Sequence, residues 1–584
     1  MMDPIGELPL AADFATPDRE QWRELVLGVL AKSGADYSTL ESTTYDGIRV
    51  HPLYTAADTA PDGGLPGTTP FTRGGRTQGG WDVRQLHRVP DREAVLADLE
   101  NGATSLWLKI PAESLAPVLA EVYLDLAPVV VDGGSDFLAT GREILGIWES
   151  APGEVHGNVG ADPLGVFVRT RREPDFAALT DLVRRAERFP AVRVAVVDGL
   201  PFHEAGGSDA EELGASLAVA VAYLRHLVDA GVPAGKAVRL LEFRYAATAD
   251  QFLTIAKFRA ARRLWARVTG VVDAPAPQVQ HAVTSPAMTT RRDPWVNMLR
   301  TTVACFGAGL GGADSVTVLP FDHAIGLPDD FSRRIARNTQ SLLIEESRLG
   351  GVVDPAGGSW YVERLTDDLA HAAWAWFREI EAAGGLPQAF DLVEERIAAT
   401  WARRAANLAD RTDAITGVSE FPNPTETPVV RTPAPEEPGG GLPRVRYAQA
   451  FEALRDAAEV SPTRPAVFLA TLGPVAAHTA RAGFAANLFQ AGGIDTPTAG
   501  ATTGVDDVVA RFRESGARIA CLCGSEKSYA ELAEPVADAL RAAGAERVLL
   551  AGKESTARVD GYVFTGCPAL DVLEQTFDAL GVAR

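Results

Sequence analysis

Cysteine is scarce in this chain: four residues among 584, too few for a disulfide framework. Reduced thiols fit a cytoplasmic setting. The N-terminal MMDPIGELPLAADF supports that expectation, because it has acidic residues where a secretory leader needs a basic start and a long apolar run. Long hydrophobic runs are missing too. Stretches such as ASLAVAVAYL, Ala215 to Leu224, fall far short of the ~20 apolar residues of a membrane helix, so no span is expected. Basic charge is in deficit, with 55 Lys and Arg against 77 Asp and Glu, and the net charge of −22 repels phosphate backbones and anionic lipid. Nucleic acid and membrane surfaces are thereby excluded as partners. Cys521 and Cys523 form a CxC in GARIACLCGS. On a strand the two side chains share a face, but no second Cys or His pair stands nearby to complete a tetrahedral site. They read as small buried side chains, and no metal site is expected.

Hydrophobic residues, at 46%, suffice for large cores, and the length predicts two large domains or several small ones. The clearest boundary is FPNPTETPVVRTPAPEEPGGGLPR, Phe421 to Arg444, whose prolines and glycines favour extended backbone and read as a linker. Upstream of Thr104 the chain is rich in Pro, Gly and Thr and lacks helical or strand period, which predicts an extended arm lying on something else. From Thr104 to about Gly385, short apolar runs alternate with longer helical ones. The expected strands are SLWLKI, APVVVDGG, GVFVRT, VRVAVVDG, AVRLLEFRYA, PQVQHAV and DSVTVLPFD. The helical stretches include ADQFLTIAKFRAARRLWARVTG, with Phe252, Ile255, Ala256, Arg259 and Arg263 at helical spacing. Apolar strands alternating with amphipathic helices imply a parallel sheet covered on its outer face, and seven or eight such units predict a TIM barrel. PAVFLATLG, ARIACLCGS, RVLLAGK and GYVFTG repeat the alternation and predict a smaller flavodoxin-like doubly wound domain.

The strand end VVDGLPFHEAGG, Val196 to Gly207, puts His203 beside Glu204. Neighbouring side chains on a loop seldom converge on one substrate atom, so the pair reads as loop or packing residues rather than an acid and base. His281 and Arg244 add polar groups to the same barrel end. No Ser-His-Asp or phosphate-loop constellation stands out, and DGLP and AGLGG are weak glycine patterns.

These pieces, in this order, resemble the methylmalonyl-CoA mutase family over nearly the whole chain. YDGIRVHPLYT and PFTRG resemble its N-terminal arm, WDVRQ the lead into its barrel, and KFRAARRLWARV a barrel helix. The longest match runs from Leu319 to Thr366, LPFDHAIGLPDDFSRRIARNTQSLLIEESRLGGVVDPAGGSWYVERLT. The resemblance implies adenosylcobalamin chemistry that interconverts succinyl-CoA and methylmalonyl-CoA through radicals, with substrate in the barrel and cofactor on the C-terminal domain. It also implies an organisation of arm and partner-contacting segment at 1–85, barrel with trailing helices at 86–420, linker at 421–444 and a degenerate cobalamin-binding-like domain at 445–584.

Residue by residue, the family's ligand contacts are absent. Where catalytic members have Gly-Tyr-His-Met-Gln-Glu-Ala-Gly, GLPFHEAG places Leu200 and Pro201 at the tyrosine and histidine positions, and His203 at that of glutamine. Leucine has no hydrogen-bonding group for a thioester, and proline lacks even a backbone donor. WDVRQLH keeps Trp81, Arg84 and Gln85 but has Leu86 at the substrate-contacting tyrosine position. The tyrosine-containing stretch just upstream is shortened to GRTQGG. HAVTSP keeps His281, Thr284 and Ser285 but has Val283 at a glutamine position. In the C-terminal domain, LATLGPVAAHTARAGF puts Gly473 where the family's Asp-x-His-x-x-Gly supplies the cobalt ligand. His478, five residues on, reads as a helix-surface residue. CLCGSEKS and AGKES stand in for two further cofactor loops.

The family has a heterodimeric branch whose small subunit has lost both sites, and this chain resembles that subunit. The resemblance implies a large catalytic subunit as partner, with the acyl-CoA substrate and adenosylcobalamin held there and no cofactor, catalytic residue or metal on this chain. Two alternatives remain: an enzyme in its own right acting on an acyl-CoA by altered chemistry, or a regulatory subunit that senses CoA esters.

Overall fold

The computed structural model describes residues 18–583, so the N-terminal reading above lies outside the described residues. Eight parallel strands close into a barrel: β1 Asp82–His87, β2 Ser105–Leu108, β3 Val129–Val131, β4 Gly157–Ala161, β5 Val192–Asp198, β6 Leu241–Ala247, β7 Gln280–Thr284 and β8 Ser315–Thr317. β8 pairs back onto β1 through Val316 and Val83, so no edge remains. Strands β2, β3, β6 and β7 are buried at every residue, as covering helices on the outside and packed side chains within require.

The fourth strand is not GVFVRT but GNVGA just before it. Asp162 accepts from the Gly165 amide, Pro163 sits at the first helical turn, and Leu164 and Val168 pack inward one turn apart, so GVFVRT winds into the helix Pro163–Thr170. Two glycines and an asparagine give the true strand no apolar run to read. The covering helix Gln251–Val271 forms where expected; Ile255, Ala256 and Arg259 are buried, and Phe252 at its start is exposed.

Four further parallel strands, β9 Val467–Thr471, β10 Ile519–Cys523, β11 Arg547–Ala551 and β12 Gly561–Val563, form a second sheet in that order. Residues 495–498 bridge to the far side of β9 through Asp495 and Thr498, which completes the flavodoxin-like arrangement. Cys521 and Cys523 are buried on the same face of β10. This domain is clamped to the barrel by charge: Arg292 pairs with Asp456 at 2.5 Å and Glu459 at 2.7 Å, and Arg291 with Glu452 at 3.2 Å. Among the described residues no helix is long and apolar enough to cross a membrane.

The arm lies along the barrel. Tyr45 bonds to Asp413 and accepts from Asn407 at 2.9 Å, and Asp46 bonds to Ser208. Burial first, and then the nearby charge of Asp209, push the Asp46 carboxyl up to about 7. The fold therefore holds a proton on Asp46 that the unfolded chain releases near its ordinary value. This contribution to stability is full below pH ~4 and is lost as pH rises through about 7. Asp46→Asn, which keeps the polar contacts and cannot ionise, is expected to gain on the native chain by on the order of 2–3 kcal/mol between pH 4 and 8. Denaturant midpoints of both chains across that range check it; parallel curves would refute it.

Candidate functional site

At the carboxyl ends of the strands the barrel encloses a cavity of about 330 Å³, within the range of small-ligand sites. Each strand or the turn after it contributes to the wall, from Leu86 and Trp107 near the ends of β1 and β2 to Arg244 in the middle of β6 and Leu319 just beyond β8. Alternation along the strands explains the layering. Arg84 and Glu242 form a buried ion pair one layer below, with Asn158 donating to Glu242 at 3.0 Å, and the next inward residues upward are Leu86 and Arg244. Trp107, Val130, Leu200, Ala246, Val283 and Leu319 make one apolar cluster, with Leu86 packed against it. The structure thus brings Leu86, Leu200 and Val283 together although 197 positions separate the first from the last. Pro201 joins them in the wall, in the first turn of the short helix Leu200–Glu204. The surface these four present offers no side-chain hydrogen bond to a bound molecule.

His203 and Glu204 diverge. His203 Nε2 lies 2.6 Å from Ser285 Oγ, outside the cavity wall, while Glu204 lines the cavity and pairs with Arg169 at 2.9 Å. Burial, and then the charge of Lys257, push the His203 imidazole down to about 3, so it is neutral near pH 7. Arg244 Nε donates to His281 Nδ1 at 3.3 Å, which leaves Nε2 to donate to Thr317 Oγ1 at 2.8 Å. Burial and the charges of Arg84 and Arg244 hold His281 well below its ordinary value. Arg244 stacks 4.1 Å above the Trp107 ring and pairs with Asp198 at 3.2 Å and Asp132 at 3.4 Å. Arg244, His281 and Glu204 are therefore engaged with neighbouring side chains, and neither His203 nor His281 lines the cavity as a base facing it.

The linker is the part of this site that sequence reasoning missed. Instead of tethering the domains loosely, it crosses the mouth: Leu327 N donates to Thr432 O at 2.8 Å, Leu442 N to Val168 O at 2.9 Å and Val445 N to Glu204 O at 2.8 Å. Gly441 lies so close to the strand-following helix that an added Cβ would sit 2.0 Å from Val168 O. Glu437, Pro438 and Arg444 become cavity wall. Nothing in PAPEEPGGG marks Glu437, because its partners Arg88 and Lys109 lie more than three hundred positions away. Trp107 did carry a sign: in SLWLKI it alternates with Ser105, and a strand end followed by Lys109 faces a barrel mouth.

In the C-terminal domain Gly473 follows β9 with φ +83°, in the left-handed region. An added Cβ would meet Ser528 Oγ at 3.6 Å and Ala477 Cβ at 4.0 Å, both ordinary contacts, so space is available but a histidine there would be strained. His478 does not lie on the helix surface as expected. It is the fourth residue of the helix Val475–Ala491, only 7% exposed, with neither ring nitrogen partnered, and burial lowers its proton affinity. A cleft of about 950 Å³ at the ends of the sheet is lined by Arg481, Tyr529, Lys553 and Phe564, with Arg481 4.8 Å above the Tyr529 ring and paired to Glu526. These residues do not fit a cobalamin: the loop after β9 has no imidazole, and His478 is packed within a helix. Among the described residues no group of His, Cys, Asp or Glu is placed to hold a metal ion.

A closed parallel barrel whose mouth carries the cavity, followed by a flavodoxin-like domain, is the architecture that the resemblance to the methylmalonyl-CoA mutase family implies. Residues 148–480 match the family model described as Methylmalonyl-CoA mutase. The chain is 56% identical to the methylmalonyl-CoA mutase small subunit of Streptomyces virginiae over 99% of each chain. It is 40% identical to the small subunit of Propionibacterium freudenreichii subsp. shermanii over 99% of this chain and 97% of that one. A methylmalonyl-CoA mutase of Cereibacter sphaeroides is 31% identical over 71% of this chain and 66% of that one. The chain belongs to the methylmalonyl-CoA mutase family, whose chemistry depends on adenosylcobalamin.

Proposed function

We propose that this chain is the non-catalytic small subunit of a heterodimeric methylmalonyl-CoA mutase, which interconverts succinyl-CoA and methylmalonyl-CoA. Its work is to support a large subunit that holds both the acyl-CoA substrate and adenosylcobalamin. The observation that carries this reading is the convergence of Leu86, Leu200, Pro201 and Val283 on one apolar wall beneath a closing linker. A thioester in that cavity would meet no donor from any of the four. Gly473 argues the same for the cofactor, since it offers cobalt no ligand. The names of the small-subunit relatives support a large partner. The arm and barrel surfaces are the expected contact, and association stabilises both folds by mass action.

Cobalamin content and mutase turnover test this for the chain purified alone and after co-expression with its large partner. No cobalamin and no turnover alone, with one cofactor per active heterodimer, are expected. Cobalamin on the isolated chain, two per heterodimer, or turnover of any acyl-CoA by this chain alone would overturn the reading.

A further inference from the structure

The cations around the barrel mouth differ in where their counter-charges come from. Arg244 is paired with Asp132 and Asp198, and Arg169 with Glu204, all from the barrel itself. Arg88 and Lys109, just beyond the ends of β1 and β2, are instead paired by Glu437 of the linker. Arg88 Nη2 lies 3.0 Å from one carboxylate oxygen, Lys109 Nζ 2.7 Å from the other, and Arg444 Nη2 3.5 Å from that second oxygen. Arg88 Nη2 also donates to Pro435 O at 3.2 Å and Arg444 Nη1 to Pro438 O at 3.0 Å, so the same side chains fix the backbone on both sides of Glu437. Beneath this nest lies the apolar cavity of Leu86, Trp107, Leu200, Val283 and Leu319. Burial would raise the Glu437 carboxyl, but Lys109, Arg88 and Arg444 outweigh it and hold it below its ordinary value, so it is an anion at neutral pH. His323, also in the wall, is pushed down to about 4 by burial and by Arg88 and adds no charge.

We propose that the barrel mouth contains a carboxylate-binding site formed by Arg88, Lys109 and Arg444 over an apolar cavity. Glu437 of the linker is its built-in occupant, which a short aliphatic monocarboxylate can replace. The charge selects an anion, the apolar floor selects an aliphatic tail, and a cavity of about 330 Å³ has room for a short acid such as isobutyrate. A tethered carboxylate has the advantage of high effective concentration, so a free acid competes poorly with it in the native chain. The site closes the mouth whether or not the chain turns over substrate, so cobalamin content does not read it.

Two measurements on the full-length chain test the proposal, with isobutyrate as the probe and isobutyramide as its uncharged counterpart. By calorimetry, Glu437→Ala is expected to bind one isobutyrate at least tenfold more tightly than the native chain, and isobutyramide no better than the native chain does. Adding Lys109→Met should remove most of that gain. Equal isobutyrate binding by both chains would mean that Lys109 turns to Asp132 instead, and equal gain for isobutyramide would mean an apolar pocket with no carboxylate site; either overturns it. The second measurement needs no variant. High-millimolar isobutyrate, against chloride at equal ionic strength, should speed hydrogen exchange several-fold at the Gly441 and Leu442 amides, which donate to Arg169 O and Val168 O while the linker is docked. Unchanged exchange would also overturn the proposal.

Discussion

A chain carrying Lys257→Met is expected to lose about 3–5 kcal/mol of barrel stability, read as a drop in the midpoint of its urea transition. Lys257 is fully buried in the helix Gln251–Val271, and its Nζ lies 2.8 Å from both Asp209 Oδ1 and Glu212 Oε2. Burial opposes its charge, but those two carboxylates outweigh burial and raise it above its ordinary value. Methionine keeps the aliphatic stem and deletes the charge, leaving two carboxylates facing each other without water. Burial has already pushed Glu212 up to about 7, while Lys257 is the main partner that offsets the burial of Asp209 and holds it low. Without the ammonium both carboxyls would hold protons in the fold that the unfolded chain releases. Such raised groups add stability that falls as pH rises, so the deficit of the variant should be larger at pH 8 than at pH 5. A deficit below ~1 kcal/mol, or one independent of pH, would show that the triad is not what holds this corner. The corner matters to the site above it: Glu212 also accepts from the Ala246 amide at 2.8 Å, and Ala246 belongs to the apolar cluster at the mouth.

Lys257 also illustrates what the sequence could and could not show. In KFRAARRLWARV the helical spacing is legible, but the burial of all three of Lys257, Arg259 and Arg262 is not. Periodicity identifies a helix; it does not reveal that carboxylates from Asp209, Glu212 and Asp354, distant in sequence, wait on the other side. The barrel and the doubly wound domain were legible because strand and helix repeat in apolar pattern, and the misplaced strand occurred where that pattern failed, in GNVGA. The wall positions Leu86, Leu200, Pro201 and Val283 were legible one at a time from the family resemblance. Their meeting in one surface is a product of barrel closure. The linker reads as extended from its composition, and its docking across the mouth does not show there. Proline and glycine fix backbone shape, whereas docking depends on which carbonyls and cations lie beneath. His478 was misjudged for a related reason: one turn of helix shows which residues share a face, not which face is covered.

Arg262→Met is expected to release the C-terminal part of the arm from the barrel and, with it, assembly with the large subunit. The guanidinium of Arg262 is buried and donates in five directions. Nε reaches Phe71 O at 3.0 Å; Nη1 reaches Gln280 Oε1 at 2.6 Å and Gly312 O at 3.2 Å; Nη2 reaches Thr72 O at 3.0 Å and Gly311 O at 2.7 Å. Burial, and then the charge of Arg259, push it down to about 10, so it remains protonated near neutrality without a direct carboxylate partner. Its charge is held by carbonyl dipoles. Only a planar fork satisfies acceptors spread over the arm, β7 and the loop before β8, so lysine is no substitute and Arg262→Lys should fall well short of rescue. Methionine strips this donor from the carbonyls of Thr72, Gly311 and Gly312 and from the Gln280 amide oxygen in a dry site, leaving Phe71 O with only the Gly74 amide, at a cost of about 3–5 kcal/mol. The loss should be local, because Tyr45 and Asp46 still anchor the earlier part of the arm to Asp413, Asn407 and Ser208. Hydrogen exchange should therefore accelerate around Phe71 and Thr72 while Ile48 keeps its protection. If the arm is the partner-contacting segment, the variant should co-purify with the large subunit in strongly reduced yield. Fast exchange at the arm with full assembly would place the partner contact on the barrel surface instead, and unchanged exchange would mean that packing of Phe71 alone holds the arm.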